Sequence, residues 1–345
     1  MSKGLFFGLV SIVFVGAASM VLAQTPAAEP YKVAKTIDLG GAGGWDYATL
    51  DADGKLLYLP RVTHTMVVDV ASGKVVADIP GSTHNHGTAL VPELNRGFIT
   101  DGDKGDVMIF DTKTYAVLGH VATAEDSDGV IYDASSHHVF VACGDAAALI
   151  AIAADVDPVN GKAEAKIDLD GKPEFLAADG KGKVYVNLSD KAQVAVIDTK
   201  TLKITDKWSI APGGSSTGMS IDRENGYLFI GCRNNHFIIM STKDGSIAAD
   251  IPIGPGVDAT VFNAGLGMAS CADGTLVIVR ETAPGKFEMV QTLKTSAGAR
   301  TMAIDSKTGT VYLPCAEMTP AETPGGRATP KPDSFKVIVA ERNAQ

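Results

Sequence analysis

The chain has little of what usually signals chemistry. Aromatic residues make up 6% of its 345 positions, and only two are tryptophan. It has four cysteines and seven histidines. There is no HExxH, no CxxC and no sequential triad, so no zinc-peptidase, dithiol or hydrolase motif can be read directly. Basic residues are outnumbered, 30 Lys and Arg against 40 Asp and Glu. No broad cationic track exists, which disfavours tight binding to a nucleic-acid backbone. No extended apolar stripe of helical period occurs beyond residue 30.

The longest apolar run lies at the start. Lys3 precedes Leu5 to Val15, and Val21-Leu22-Ala23 forms a small-residue cleavage site before Gln24. The pattern predicts a signal peptide over 1–23, an Ala/Pro linker over 24–30 and one domain over 31–345. The run is short for a bilayer span, so no transmembrane span is expected after cleavage. The protein is expected to be secreted or periplasmic. Loss of 1–23 removes one Lys and no acid, leaving 29 basic and 40 acidic residues.

What is present is a repeat. LDADGKLLYLP (50–60), LVPELNRGFIT (90–100), YDASSHHVFVA (132–142), AADGKGKVYVN (177–187), IDRENGYLFIG (221–231), FNAGLGMAS (262–270) and IDSKTGTVYLP (304–314) share one plan: a polar turn, then an apolar run with a large anchor. The anchors Tyr58, Phe98, Phe140, Tyr185, Phe229, Met268 and Tyr312 are spaced by 40, 42, 45, 44, 39 and 44 residues. This period, with several short strands per unit, predicts an all-β, seven-bladed β-propeller of four-stranded blades. In the unit 44–82, strands are expected over 45–50, 55–61, 66–70 and 74–79. Third strands often end in apolar-Asp, as at Asp69, Asp111 and Asp198, where the carboxylate is expected to cap the next turn. The last unit supplies strands over 301–305, 310–315 and 335–340. KVAKTIDLG (32–40) resembles the fourth strand KVVADIPG (74–81), so the mature N-terminal strand is expected to complete that blade and close the ring.

Cys143, Cys232, Cys271 and Cys315 each stand three residues after an anchor. They are either small buried strand residues or, in the consecutive blades of Cys232, Cys271 and Cys315, the source of one bridge.

Blade geometry sorts the polar residues by face. Loops entering first strands and leaving second strands share one mouth of the channel. That set contains Trp45, Asp46, His84, His86, Asp126, Asp128, Glu174, Asp258 and Arg300, with Arg61, His64, Asp101, Asp103, Arg233, His236 and Glu317. His137 and His138 should face the other way, and His120 should be peripheral. The candidate ligand-binding set is Trp45, Asp46, His86, Asp128, Glu174, Asp258 and Arg300. His84 and His86, at i and i+2 on a strand, join Asp128 as a candidate divalent-metal set. Arg300 is the candidate holder of an anionic group. The competing view is that these residues are polar because the channel holds water.

A proline-rich insertion over 318–334, with Gly325-Gly326, is a candidate lid. Gly40 to Gly44 joins strand to strand without a following helix, and reads as a flexible crossing rather than a phosphate loop. Asn187-Leu188-Ser189 matches a glycosylation acceptor.

The phrases VYVN (184–187), VFVA (139–142) and VYLP (311–314), with the turn IDTKT (197–201), resemble the YVTN-repeat β-propellers, in particular the YncE-like exported proteins. The likeness spans 31–343. It implies a propeller fold and export. Related propellers include sugar-lactone hydrolases, quinoprotein amine dehydrogenase subunits and virginiamycin-type lyases, and YncE-like proteins are associated with single-stranded DNA. No catalytic motif of these relatives maps onto the chain residue by residue. Three functions therefore stand: a propeller binding a small molecule, metal or protein partner at its mouth; a metal-assisted, lactonase-like hydrolase; and a single-strand binder using Trp45 for stacking.

Overall fold

The computed structural model describes residues 30–320 and 328–343, together with Met1 and Gly4. The expected signal peptide, nearly all of the linker and the centre of the proline-rich insertion lie outside the described residues. Those described form strands and one 3-10 turn, Pro92–Leu94, with no α-helix among them. No helix of the described residues is long and apolar enough to cross a membrane.

The strands begin where β-branched and aromatic residues gather, and they end at Asx and glycine turns. Asp51 shows how such a turn is held: its Oδ1 accepts the amides of Lys55 (2.7 Å) and Leu56 (3.1 Å), while Gly54 takes the positive φ of 75°. The apolar-Asp ends of the third strands do the same. Asp69 accepts the Ser72 hydroxyl (2.6 Å) and amide (2.7 Å), and Asp198 accepts the same two groups of Thr201. The hydroxyl of Ser72 and the hydroxyl of Thr201 are the main reasons these two carboxyls sit below the usual range.

Five sheets have four antiparallel strands, one has seven, and a two-stranded ribbon joins Met318–Thr319 to Thr329–Pro330. The seven-stranded sheet departs from expectation. Lys74–Val91 runs as one 18-residue strand, pairing first with Val62–Asp69 and then with Arg96–Asp101. Asp101 keeps the connection extended, since its carboxylate accepts the Thr83 amide and hydroxyl (both 2.7 Å) and the His84 amide (3.1 Å). Two expected inner strands are shorter than the sequence suggests, Thr49–Leu50 and Ala303–Ile304. Towards the mouth these segments bond across to neighbours instead, Tyr47 N to His86 O (3.1 Å) and Thr301 Oγ1 to Asp46 O (3.1 Å).

Most hydrophobic clusters form between neighbouring sheets; the cluster of Tyr58, Val67, Ile79, Ile99, Met108 and Phe110 lies between the two halves of the seven-stranded sheet. Phe140 and Leu149 meet Leu176, Val184 and Val186; Tyr185 and Val194 meet Leu228 and Ile230; Phe229 and Phe237 meet Ala269 and Val277. All seven repeat anchors are buried. Each aromatic anchor removes enough apolar surface to contribute about 2–3 kcal/mol, and each does so by touching the next repeat. The four cysteines are free and buried, as the small-residue reading expects. Asn187 is fully buried, and its Nδ2 donates to Thr217 O (2.9 Å), so the glycosylation pattern there is inaccessible.

Tyr31–Asp38 pairs antiparallel with Lys336–Arg342, which pairs in turn with Val311–Cys315. Tyr31 locks the join. Its ring is fully buried, its hydroxyl donates to Gly309 O (2.7 Å), and its backbone exchanges hydrogen bonds with the Gln291 amide group of the adjacent sheet. Tyr31→Ala is expected to cost about 3–5 kcal/mol in urea melts, and deletion of 31–38 more. An unchanged melt would show that this strand is dispensable.

Candidate functional site

The inner strands carry an equivalence that the turns make visible. Five residues before Asp51, Val91, Asp133, Asp179, Asp222, Asn263 and Asp305 stand Asp46, His86, Asp128, Glu174, Thr217, Asp258 and Arg300. Inner strands of successive sheets contact one another, so these positions converge. Close approach requires small neighbours. A Cβ on Gly129 would lie 2.4 Å from Glu174 O, and one on Gly218 2.6 Å from Thr260 N.

The convergence encloses a cavity of about 760 Å³. Every residue of the expected ligand set, Trp45, Asp46, His86, Asp128, Glu174, Asp258 and Arg300, lines it. Asp126, Arg233 and Tyr47 join them, and Met318, Ala328 and Pro330 from the described ends of the insertion form part of its wall. Tyr47 also borders a small cavity of about 30 Å³ lined by Phe175, whose ring centroid is 4.6 Å from its own.

Charge is divided within the cavity. On one side His86 Nδ1 lies 2.8 Å from Asp46 Oδ2 and 3.4 Å from Asp128 Oδ1. On the other, Asp258 bridges two guanidiniums, with Arg300 Nε at 2.7 Å and Arg233 Nη2 at 2.5 Å. Glu174 is 3.9 Å from Arg233, too long for a hydrogen bond. Burial pushes the Asp128 carboxyl well above the usual range, and the charge of Asp46 pushes it further, against the pull of His86. Burial alone would lower the His86 pKa, but the Asp46 hydrogen bond and the charges of Asp128, Asp46 and Asp126 raise it to about 9. Glu174 rises from 4.5 to about 7, chiefly through burial, with Arg233 opposing and Asp258, Asp46 and Asp126 adding to the rise.

Trp45 is held from beneath. Arg61, 1% exposed, donates to the carbonyls of Gly44 (2.9 Å) and Ala42 (2.8 Å), and to those of Gly40 and Gly43 (3.3 Å each). The glycine-rich segment is therefore wound around a guanidinium rather than free to flex. Burial lowers the Arg61 pKa to about 10. Arg61 also covers the Phe335 ring at 3.6 Å, and Phe335 packs on Trp45. Arg300 lies over the indole at 5.1 Å and donates to Trp45 O (3.0 Å). At 5% exposure Trp45 is a packed wall, not an open stacking platform, which removes the residue on which single-strand binding rested.

Several expected mouth residues stand elsewhere. His84 does not line the cavity; it faces Asp103 (3.4 Å), with its ring 4.4 Å from that of His86. The third member of the cluster with His86 and Asp128 is the Asp46 carboxylate, not the expected His84 imidazole. His64 and His236 turn outward to Asp78 (3.6 Å) and Asp250 (2.7 Å), because third-strand side chains at those positions meet the fourth strand. Asp101 is a buried turn cap and Arg61 a scaffold. Tyr47 escaped the sequence reading, although its place two residues after Trp45 on an inner strand was the available signal.

No protein-family model matches the chain, and no curated protein does. Solved structures do. The RRP9 WD40 repeats superpose with a TM-score of 0.75 at 12% identity, covering 93% of this chain and 99% of that one. U3-55K gives 0.72 at 11%, covering 91% and 99%. Hydrazine synthase from Kuenenia stuttgartiensis gives 0.67 at 12%, covering 86% and 96%. At such identities the likeness shows the fold, and the chain is a β-propeller.

Glu174 gives a test of the cavity's electrostatics. Its proton is held more tightly in the folded state, so its contribution to stability is full below pH 4.5 and is lost as pH rises through about 7. In EDTA-treated protein, Glu174→Gln should raise stability by about 1–3 kcal/mol at pH 8 and by almost nothing at pH 4. A gain of equal size at both pH values would show that its ionisation is not strained.

Proposed function

We propose that the protein is an exported, YncE-like propeller of seven four-stranded blades, closed by its N-terminal strand, which binds a small polar ligand at one mouth of the channel. The pairing of Tyr31–Asp38 with Lys336–Arg342 supports closure. The count of seven is supported by the equivalent positions and by reading the seven-stranded sheet as two blades that share Lys74–Val91. The phrases at 139–142, 184–187 and 311–314 support the YVTN kinship, and the apolar run with its small-residue cut supports export.

One observation carries the binding reading. Six of the seven equivalent positions bear titratable or charged side chains, all six line one cavity, and their charges do not cancel locally. Arg233 and Arg300 are both committed to Asp258, which leaves Asp46 and Asp128 to share His86 as counter-charge and Glu174 with only Arg233, at 3.9 Å. A channel polar only for solvation has no need to gather buried acids against their own repulsion. The acidic excess suits a ligand that carries positive charge or that is held through a cation, while the unused guanidinium donors offer sites for its oxygens.

Two measurements test this. Mass spectrometry of fractionated expressing cells should find, outside the cytoplasm, a chain beginning at Gln24; protein confined to the cytoplasm with Met1 intact would remove the export reading. A thermal-shift screen of small polar molecules, followed by calorimetry, should find a ligand whose affinity falls at least tenfold in Arg300→Gln and in Asp128→Asn. Ligands that ignore both changes, or none at millimolar concentration, would refute binding at the mouth.

A further inference from the structure

We infer that the acidic side of the mouth is a site for a first-row divalent cation, coordinated by Asp46, His86 and Asp128 and open towards the cavity. The inference rests on the reading of the mouth as a binding site and names one occupant of it. Coordination bonds to nitrogen and oxygen run about 2.0–2.2 Å, so neighbouring donors in an octahedral or tetrahedral shell lie about 2.8–3.6 Å apart. The separations from His86 Nδ1 to Asp46 Oδ2 and Asp128 Oδ1, 2.8 and 3.4 Å, fall in that interval. One donor atom from each of the three residues lies within 4.8 Å of the other two. His86 and Asp128 stand on the inner strands Lys74–Val91 and Ser127–Asp133, and Asp46 on the segment leading into Thr49–Leu50, which is tied to the His86 strand by the bond from Tyr47 N to His86 O (3.1 Å).

Independent features point to a ligand at this place. Asp128 Oδ1 and His86 Nε2 are buried with no hydrogen-bond partner among the described residues. Tyr47, 7% exposed, lines the same cavity. The Trp45 indole, also on the wall and 5% exposed, leaves Nε1 unpartnered. Buried polar atoms are seldom left so, and several together around one cavity call for an occupant.

The donor set selects the kind of ion. One imidazole and two carboxylates suit Zn²⁺, Co²⁺ or Mn²⁺; Ca²⁺ takes six to eight oxygens and Mg²⁺ prefers an all-oxygen shell. Three protein donors leave at least one position for water or for an oxygen of the mouth's ligand. Asp126 and Glu174 stand on the same cavity as outer partners for water on the ion.

The test is calorimetric titration of the EDTA-stripped mature chain with ZnCl₂, MnCl₂ and CaCl₂, with metal content read by mass spectrometry. One equivalent of Zn²⁺ or Mn²⁺ per chain is expected, at least tenfold tighter than Ca²⁺. Affinity should fall at least tenfold in Asp46→Asn, Asp128→Asn and His86→Gln, and stay within threefold in His84→Ala. Should a variant fail to fold, wild-type protein suffices: sub-stoichiometric Mn²⁺ should broaden the ring resonances of His86 before those of His120 and His138. Absence of stoichiometric metal, binding indifferent to the three variants, or broadening centred on another histidine would overturn the assignment. A stripped protein that binds an organic ligand at the mouth with full affinity and takes up no metal would overturn the cation site alone and leave the proposed function standing.

Discussion

A β-propeller delivers the same position of successive repeats to the same axis, and the cavity follows from that constraint. In an open sheet, residues five before each turn would be strangers to one another. Here six of the seven equivalent residues, Asp46, His86, Asp128, Glu174, Asp258 and Arg300, line one cavity of about 760 Å³. Had all seven been acids, repulsion and desolvation would oppose closure of the inner strands. The chain offsets part of that cost with one imidazole and one guanidinium at equivalent positions and a second guanidinium from the end of a neighbouring strand. The remainder shows as carboxyls at Asp128 and Glu174 that hold protons well above their ordinary range.

The second constraint is mechanical. Short inner strands such as Thr49–Leu50 cannot by themselves fix side chains that project beyond the ladder. The fixing is done from behind, by Arg61 bonded to the carbonyls of the 40–44 segment and stacked on Phe335, with Phe335 against Trp45 and Trp45 under Arg300. A buried arginine whose donors all face carbonyls is a framework element. Its charge sits behind the cavity wall, and its effect on the site runs through the position of Trp45.

How much of this could be read in the amino-acid sequence depended on the range of the interaction involved. Turn acids such as Asp69 and Asp198 act within one repeat, and anchors such as Phe98 and Tyr185 act between a repeat and the next, so the recurrence of the phrase reveals both. The mouth set was legible because a propeller maps strand order onto face, which requires only topology. The imidazoles were harder. His64 and His236 follow second strands as the mouth rule requires, but side-chain direction alternates along a strand, and theirs meet Asp78 and Asp250 on the outer edge. His84 and His86 share a strand face by period two, yet backbone bonds to Asp101 and Gly102 set the path of this strand, and only His86 reaches the cavity. Tyr47 escaped the reading because its place on the cavity wall depends on residues of several other repeats.

The join between Tyr31 and Arg342 links residues 311 positions apart. That separation dictates an order of events. During synthesis the segment 31–38 has its native partner only once Lys336–Arg342 has been made. Until then it is an unsatisfied ladder, the state in which β-proteins are most readily cut or drawn into wrong partners. Such a chain reaches its full resistance to proteases in a single late step, when head meets tail, rather than by gradual accrual repeat by repeat.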